Sequence, residues 1–265
     1  MSPDTFIVVA ALDEADRIGA TLAALARAFP GAPVFLADDG STDATAELAR
    51  AAGATVVRSE RIIGKGQAMT AGVRAVLSDV DFFWGPARAC APARGYGEKD
   101  NSSAESSEPS VVEPSVVEPS VAEPIVVLCD GDLGDCADRL GRLADAVRSD
   151  HADVAVAVFA RRVGGGFGLA LRFARWAIRR RCGLLTRAPI SGQRALRAGV
   201  LRDVLPFAPG FGMEIGMTID AVRAGHRLLE IDLDLAHRAT GRTPAGFAHR
   251  ARQLVDFMRV YLARA

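Results

Sequence analysis

Two carboxylate clusters, each at the end of a short apolar run, are the residues of this chain best placed to do chemistry. Ala37-Asp38-Asp39-Gly40-Ser41-Thr42-Asp43 follows Val34-Phe35-Leu36, and Cys129-Asp130-Gly131-Asp132-Leu133 follows Ile125-Val126-Val127-Leu128. An acidic pair among small polar residues suits a nucleoside, whose base and ribose offer N–H and O–H donors. Asp-x-Asp suits a hard divalent cation carrying a diphosphate, because Mg²⁺ and Mn²⁺ take oxygen ligands and are commonly held by one or two carboxylates plus substrate phosphates. Either motif alone reads as a turn with helix-capping aspartates. Together they describe a nucleotide-diphosphate site.

Further groups of matching chemistry lie along the chain. Lys65 stands between Gly64 and Gly66, where small neighbours let a phosphate approach; the stretch lacks the first glycine and the Ser or Thr of a Walker loop. Glu214 follows Gly210-Phe211-Gly212-Met213 at a helix start, and Ser191-Gly192-Gln193-Arg194 forms a tight polar loop. Near the end, Arg238, Arg242, His249, Arg250 and Arg252 surround glycine hinges, a basic segment that suits anionic phosphates or a mobile lid. His237 offers an imidazole to the same metal, and a structural histidine is the competing reading.

The elements that must position these groups alternate between strands and helices. Strands are expected at Phe6 to Ala10, Val34 to Ala37, Thr55 to Val57, Ile125 to Cys129 and Val154 to Phe159. Apolar spacing predicts helices at Asp13 to Ala28, Asp43 to Ala52, Gly66 to Leu77, Asp135 to Arg148, Leu169 to Cys182, Met213 to Ala224 and Ala245 to Leu262, with a strand-like stretch from Arg227 to Leu235. Such alternation argues an α/β fold, a mostly parallel central sheet with helices on both faces, whose ligands bind at the carboxyl ends of the strands. Residues from about 85 to 123 break the pattern. They end in a five-residue repeat beginning Glu108-Pro109-Ser110-Val111-Val112, whose regular proline and low hydrophobicity predict a disordered surface insert in one domain spanning 1–265.

In order along the chain, Val8 through Glu14 with Arg17-Ile18, Asp38 to Asp43, Gly64-Lys65-Gly66, Asp130-Gly131-Asp132, Ser191 to Arg194 and Gly210 to Glu214 resemble the family 2 glycosyltransferases of the GT-A fold. The resemblance covers nearly the whole chain apart from the insert. Its nearest members in pattern are polyprenyl-phosphate glycosyltransferases and glucosyl-phosphoglycerate synthases. It implies a nucleotide-sugar donor, with a UDP-sugar preferred, a Mg²⁺ or Mn²⁺ cofactor and a polyprenyl-phosphate or small phosphorylated or hydroxyl acceptor. Carried residue by residue, it makes Asp132 the principal metal ligand, Asp130 a contact of the ribose or the metal, and His237 a third metal candidate. Leu12, Glu14 and Asp39 face the nucleoside; Lys65, Gln193, Arg194 and Arg242 face the diphosphate; and Glu214 deprotonates a hydroxyl acceptor or orients a phosphate one.

Composition bounds the alternatives. Lys plus Arg and Asp plus Glu are each 32, so no global charge draws the chain to nucleic acid, and 49% hydrophobic residues suffice for one large core. Lys65 and Lys99 are its only lysines. Cys90, Cys129, Cys136 and Cys182 lack metal-site or disulfide-scaffold spacing, the start lacks the basic region of a signal peptide, and no apolar run reaches the roughly eighteen residues of a membrane span. The expected location is the cytoplasm, with peripheral membrane contact if the acceptor is a lipid; the basic stripe Arg172, Arg175 and Arg179 is the candidate contact. A haloacid-dehalogenase-type phosphatase also begins from Asp-x-Asp, but Gly134 stands where its Thr belongs. A non-catalytic nucleotide-sugar-binding regulator on the same fold is the rival outside enzymes.

Overall fold

The computed structural model describes residues 3–85, 123–159, 168–235 and 244–264, with side chains of 244–252 excluded. The insert and the expected site residues His237 and Arg242 therefore lie outside the described residues, as do Arg238 and the side chains of His249, Arg250 and Arg252. The elements are β1 (Thr5–Ala11), α1 (Ala15–Ala28), β2 (Val34–Asp38), α2 (Thr45–Ala51), β3 (Thr55–Arg58) and α3 (Lys65–Trp84). There follow β4 (Ile125–Asp130), a 3-10 stretch at Gly134–Leu140, α4 (Gly141–Arg148), β5 (Val154–Phe159), α5 (Leu169–Cys182), β6 (Arg194–Arg197) and α6 (Ala198–Val204). A 3-10 turn at Gly210–Gly212, α7 (Met213–Arg223), β7 (Leu228–Leu233) and α8 (Pro244–Ala263) complete the described chain.

The seven strands form one sheet in the order β3-β2-β1-β4-β6-β5-β7. All neighbours are parallel except β6, which runs antiparallel to both β4 and β5. The expected α/β sheet is thus present, with one departure. Ser191 to Arg194 reads as a polar loop, whereas the chain enters β6 at Arg194 and α6 directly after it. The two elements lack sequence signals because Arg-Ala-Leu-Arg holds no β-branched residue and spans only four positions. Likewise, α3 runs two turns past Leu77, carrying exposed Phe82 and Phe83.

Strand side chains alternate between faces, and that parity decides where the chemistry sits. In β1 and β4, Ile7, Val9, Ile125, Val127 and Cys129 pack with α1 and α4, while Phe6, Val8, Val126 and Leu128 pack with α3, α6 and α7. Asp130 continues the second series. It therefore leaves the strand on the side where α3 begins with Lys65 and α7 begins with Met213-Glu214. The first turn of α3 comes so close beneath Ala208 that a Cβ at Gly66 would lie 2.0 Å from the Ala208 carbonyl oxygen. Only glycine admits that approach.

Candidate active site

At the carboxyl edge, where the nucleoside is expected, three loops are laced together. Asp38, fully buried, accepts from the Ser41 N–H at 2.9 Å and pairs with the Arg58 guanidinium at 3.3 Å. Asp13, at φ 54°, accepts from the Thr42 N–H, and Thr45 Oγ1 accepts from the Glu14 N–H. Asp43 accepts from the N–H groups of Ala15 and Thr45, so its expected capping role extends to the start of α1 as well as that of α2. The hydroxyl of Thr45, followed by those backbone donors, holds the Asp43 carboxyl below its ordinary range. Leu12 is exposed and Glu14 half-buried at the rim of this cradle.

Asp39 is placed differently from the expectation of a base contact. Its carboxylate accepts from the N–H groups of Ile63 at 2.7 Å and Gly64 at 3.0 Å, so it anchors the segment that delivers Lys65. Lys65 in turn bridges two acids: Nζ lies 2.7 Å from Asp130 Oδ1 and 2.9 Å from Glu214 Oε1. Burial alone would lower its pKa, but the charges of Asp130 and Glu214 outweigh that and hold the ammonium above its ordinary range. Gln193 Nε2 donates to the other oxygen of Asp130 at 2.8 Å. A Cβ at Gly192 would lie 2.8 Å from Lys65 Nζ and 2.9 Å from Asp130 Oδ2, so a side chain there is excluded while the bridge stands.

Arg194 does not reach the diphosphate side. It is the largest fully buried side chain among the described residues, donating from Nε to Ser191 O, from Nη1 to Thr218 Oγ1 and from Nη2 to Glu214 O. Burial depresses its pKa to about 10 against the opposing pull of Glu214 and Glu230. The side chain fastens β6 to α7 and so fixes Gln193 relative to Glu214. Asp220 is likewise structural, paired with Arg264 at 2.5 Å.

The Asp130–Asp132 turn is held from α1 by Arg17, part of the first motif, and by Thr21, which motif reading passes over. Thr21 Oγ1 donates to Gly131 O at 2.7 Å and accepts from the Gly134 N–H, and Arg17 Nη1 donates to Asp132 O at 3.2 Å. Thr21 is fully buried in an apolar helix face, and a buried hydroxyl needs such partners. The half-buried Asp132 carboxylate has no hydrogen bond or ion pair among the described residues. No group of three His, Cys, Asp or Glu able to enclose a metal occurs among them either. Two carboxylates, one of them uncommitted, fit a Mg²⁺ or Mn²⁺ ion that would leave positions open to other oxygen ligands. They do not fit a closed structural site.

Beside Asp130 opens a cleft of about 520 Å³. Gly192 and Gln193 line one side, Leu171 and Arg175 of α5 another, with Phe159 and Arg187 completing it. Arg187 is neutralised by Asp232 at 3.0 Å and lies near Glu230. Arg175 donates to the Arg187 carbonyl at 2.7 Å and has no carboxylate partner among the described residues. The expected Arg172-Arg175-Arg179 stripe is therefore divided, because Arg172 and Arg179 are exposed on the outer face while Arg175 turns to the cleft.

Residues 6–84 match the sequence profile of Glycosyl transferase family 2. No curated protein sequence matches the chain. Among solved structures, it is similar to glucosyl-3-phosphoglycerate synthase from Mycobacterium tuberculosis in complex with Mn²⁺, uridine diphosphate and glucosyl-3-phosphoglycerate. There the identity is 23%, covering 99% of this chain and 80% of that one, at a TM-score of 0.65. The same enzyme with Mn²⁺, UDP-glucose and glycerol 3-phosphate gives 22% identity, the same coverage and a TM-score of 0.65. A mycobacterial protein gives 24% identity over 99% of this chain and 75% of that one, at a TM-score of 0.66. The profile match is confined to the first third of the chain, while the described chain as a whole shares the α/β GT-A fold of these solved structures.

Proposed function

We propose that the chain transfers a sugar from a nucleotide-diphosphate sugar, with a UDP-sugar preferred, to a phosphorylated acceptor held in the cleft beside Asp130. The observation that carries this reading is the position of Asp130, whose carboxylate forms the wall between the laced donor loops and the Arg175 cleft. Donor and acceptor would thus meet at one residue. The solved relatives hold UDP-glucose and a three-carbon phosphate, which makes those ligands the first to try.

Asp130 and Asp132 would hold Mg²⁺ or Mn²⁺, which when bound supplies positive charge to the leaving diphosphate. Lys65 stays cationic throughout the neutral range and lies close enough to pass from Asp130 to a diphosphate oxygen. Gln193 keeps Asp130 in place as that happens. Arg175 meets the acceptor phosphate, with a planar guanidinium that fits phosphate oxygens bidentately. Glu214, buried at the start of α7, takes the proton of a hydroxyl acceptor or orients a phosphate one.

The test measures UDP release from UDP-glucose with Mn²⁺ and, in turn, phosphoglycerate, glycerol 3-phosphate or a polyprenyl phosphate. Calorimetry of UDP with Asp132→Asn accompanies it. Turnover with one phosphorylated acceptor and an affinity loss of at least about tenfold, roughly 1.4 kcal/mol, are expected. Equal UDP affinity in wild type and variant, with and without EDTA, would sink the metal assignment; UDP binding without transfer to any acceptor would favour a regulator.

A further inference from the structure

The helices α5 and α8 carry an outer surface that the catalytic site does not use. They pack together through Ala174, Ile178, Phe257 and Val260. At 100° per residue, Val255, Met258 and Leu262 fall on the side of α8 opposite Phe257 and Val260, and they are 40%, 40% and 68% exposed. A surface helix normally presents one apolar face; α8 presents two. The stripe continues across the seam, where the Tyr261 ring lies 4.8 Å from that of Trp176 and 6.2 Å from that of Phe173. On α5 it ends in Trp176 and Leu169, 50% and 62% exposed.

Among the described residues, the net charge around this surface is positive. Exposed Arg172, Arg179 and Arg180 flank Leu169 and Trp176, and α5 contains no acidic residue. Arg181 lies over the Tyr261 ring at 3.8 Å. In α8, Asp256 accepts from the Phe211 N–H and pairs with Arg259 at 3.3 Å, so the net positive charge of this surface comes from α5. A second copy of the chain would fit poorly, because a two-fold interface sets the same patch against itself and brings arginine rim to arginine rim. Apolar anchors with Trp and Tyr at their edge and a cationic rim match the boundary of an anionic bilayer instead.

We propose that the outer face of α5 and α8 docks the enzyme on an anionic lipid bilayer. Leu169, Trp176, Met258 and Leu262 enter the headgroup boundary while the arginines meet lipid phosphates. This docking is independent of which acceptor the cleft takes.

The full chain is sedimented with vesicles of phosphatidylcholine alone and with vesicles containing roughly a third phosphatidylglycerol, the anionic lipid supplying the attraction. Binding to the anionic vesicles, weakened but not abolished by high salt, is expected. Partition should fall on the order of a hundredfold when Arg172, Arg179 and Arg180 are replaced together by Gln, at about a factor of five per arginine. Trp176→Ser with Leu262→Gln should abolish the salt-resistant remainder. In a Trp84→Phe background, Trp176 emission should shift to the blue with vesicles, a readout that a change in folding, checked by thermal melts, would not mimic. Equal binding to both vesicle types, or none to either, overturns the proposal. So does light scattering that shows a dimer lost in Trp176→Ser/Leu262→Gln, with no vesicle binding by the wild type.

Discussion

Lys65 is a cation shared by two acids, and the space around its ammonium is limited by a residue with no side chain. Gly192→Ala must displace either Lys65 or Asp130, since the new Cβ would sit within 2.9 Å of both. Turnover should fall roughly ten- to hundredfold, the usual cost of disturbing the support of a ligand set. The melting temperature should hardly move, because the clash involves the movable end of a lysine; steady-state kinetics beside a thermal melt decide it. Glu214→Gln keeps the shape and one acceptor oxygen for Lys65. If the acceptor is a hydroxyl, kcat should drop by about two to four orders of magnitude with UDP affinity unchanged; with a phosphate acceptor the loss is small. Asp130, Asp132, Lys65 and Glu214 were all legible in the sequence as chemistry-bearing residues, but the bridge from Lys65 to Asp130 and Glu214 was not, because it depends on strand parity and on where α3 and α7 begin. Arg194 shows the converse. Its type suggested a phosphate ligand, and only burial shows it spent on carbonyls and a hydroxyl.

At the scale of elements, β6 and α7 are joined by that buried guanidinium. Arg194→Ala leaves Ser191 O without its donor, takes one of two side-chain donors from Glu214 O and opens a large buried cavity, and about 3 kcal/mol of stability should be lost in urea unfolding. A surface arginine that touched only ligand would leave unfolding unaltered. Strands β5 and β7 are fastened by acids instead. Burial pushes the Asp153 carboxyl up, but hydrogen bonds from Arg227 and Arg197 outweigh it; for Glu230 the hydroxyl of Thr186 and the N–H groups of Ala188 and Arg187 do the same. Both pKa values end below their ordinary range. Their contribution is therefore complete above about pH 4.5, where the unfolded carboxyls are ionised, and is lost as pH falls through the lowered folded values. The urea midpoint should drop between pH 5 and pH 3, less steeply in Arg227→Gln. The long strands and helices were readable from apolar periodicity; β6 was not, since its place in the sheet comes from pairing on both edges.

For the molecule as a whole, the low-complexity stretch joins two anchored ends. Before it, Trp84 Nε1 donates to Pro3 O at 3.2 Å and Asp81 pairs with Arg202 at 2.5 Å; after it, Glu123 accepts from the Gly199 N–H. A deletion should therefore retain Gly85 and Glu123 and replace 86–122 with a short Gly-Ser linker. Shortening a loop from about forty residues to about five removes closure entropy worth on the order of 2 kcal/mol at most. The melting temperature should stay level or rise, and the thermal response to UDP with Mn²⁺ should persist. A shortened chain that fails to fold would assign the stretch a packing role.

The lone antiparallel strand also governs the order in which the protein can be made. β4 and β5 do not touch each other; β6, synthesised later, lies between them and is hydrogen-bonded to both. A nascent chain that ends at Phe159 therefore displays two apolar strands with open edges, the kind of surface that pairs with other chains. The ribosome must add α5 and the loop to Gln193 before β6 can close that gap, and only then do Gln193 and Asp130 meet. The joining of the two parts of the sheet and the arrival of Gln193 at Asp130 are the same event in the life of each molecule.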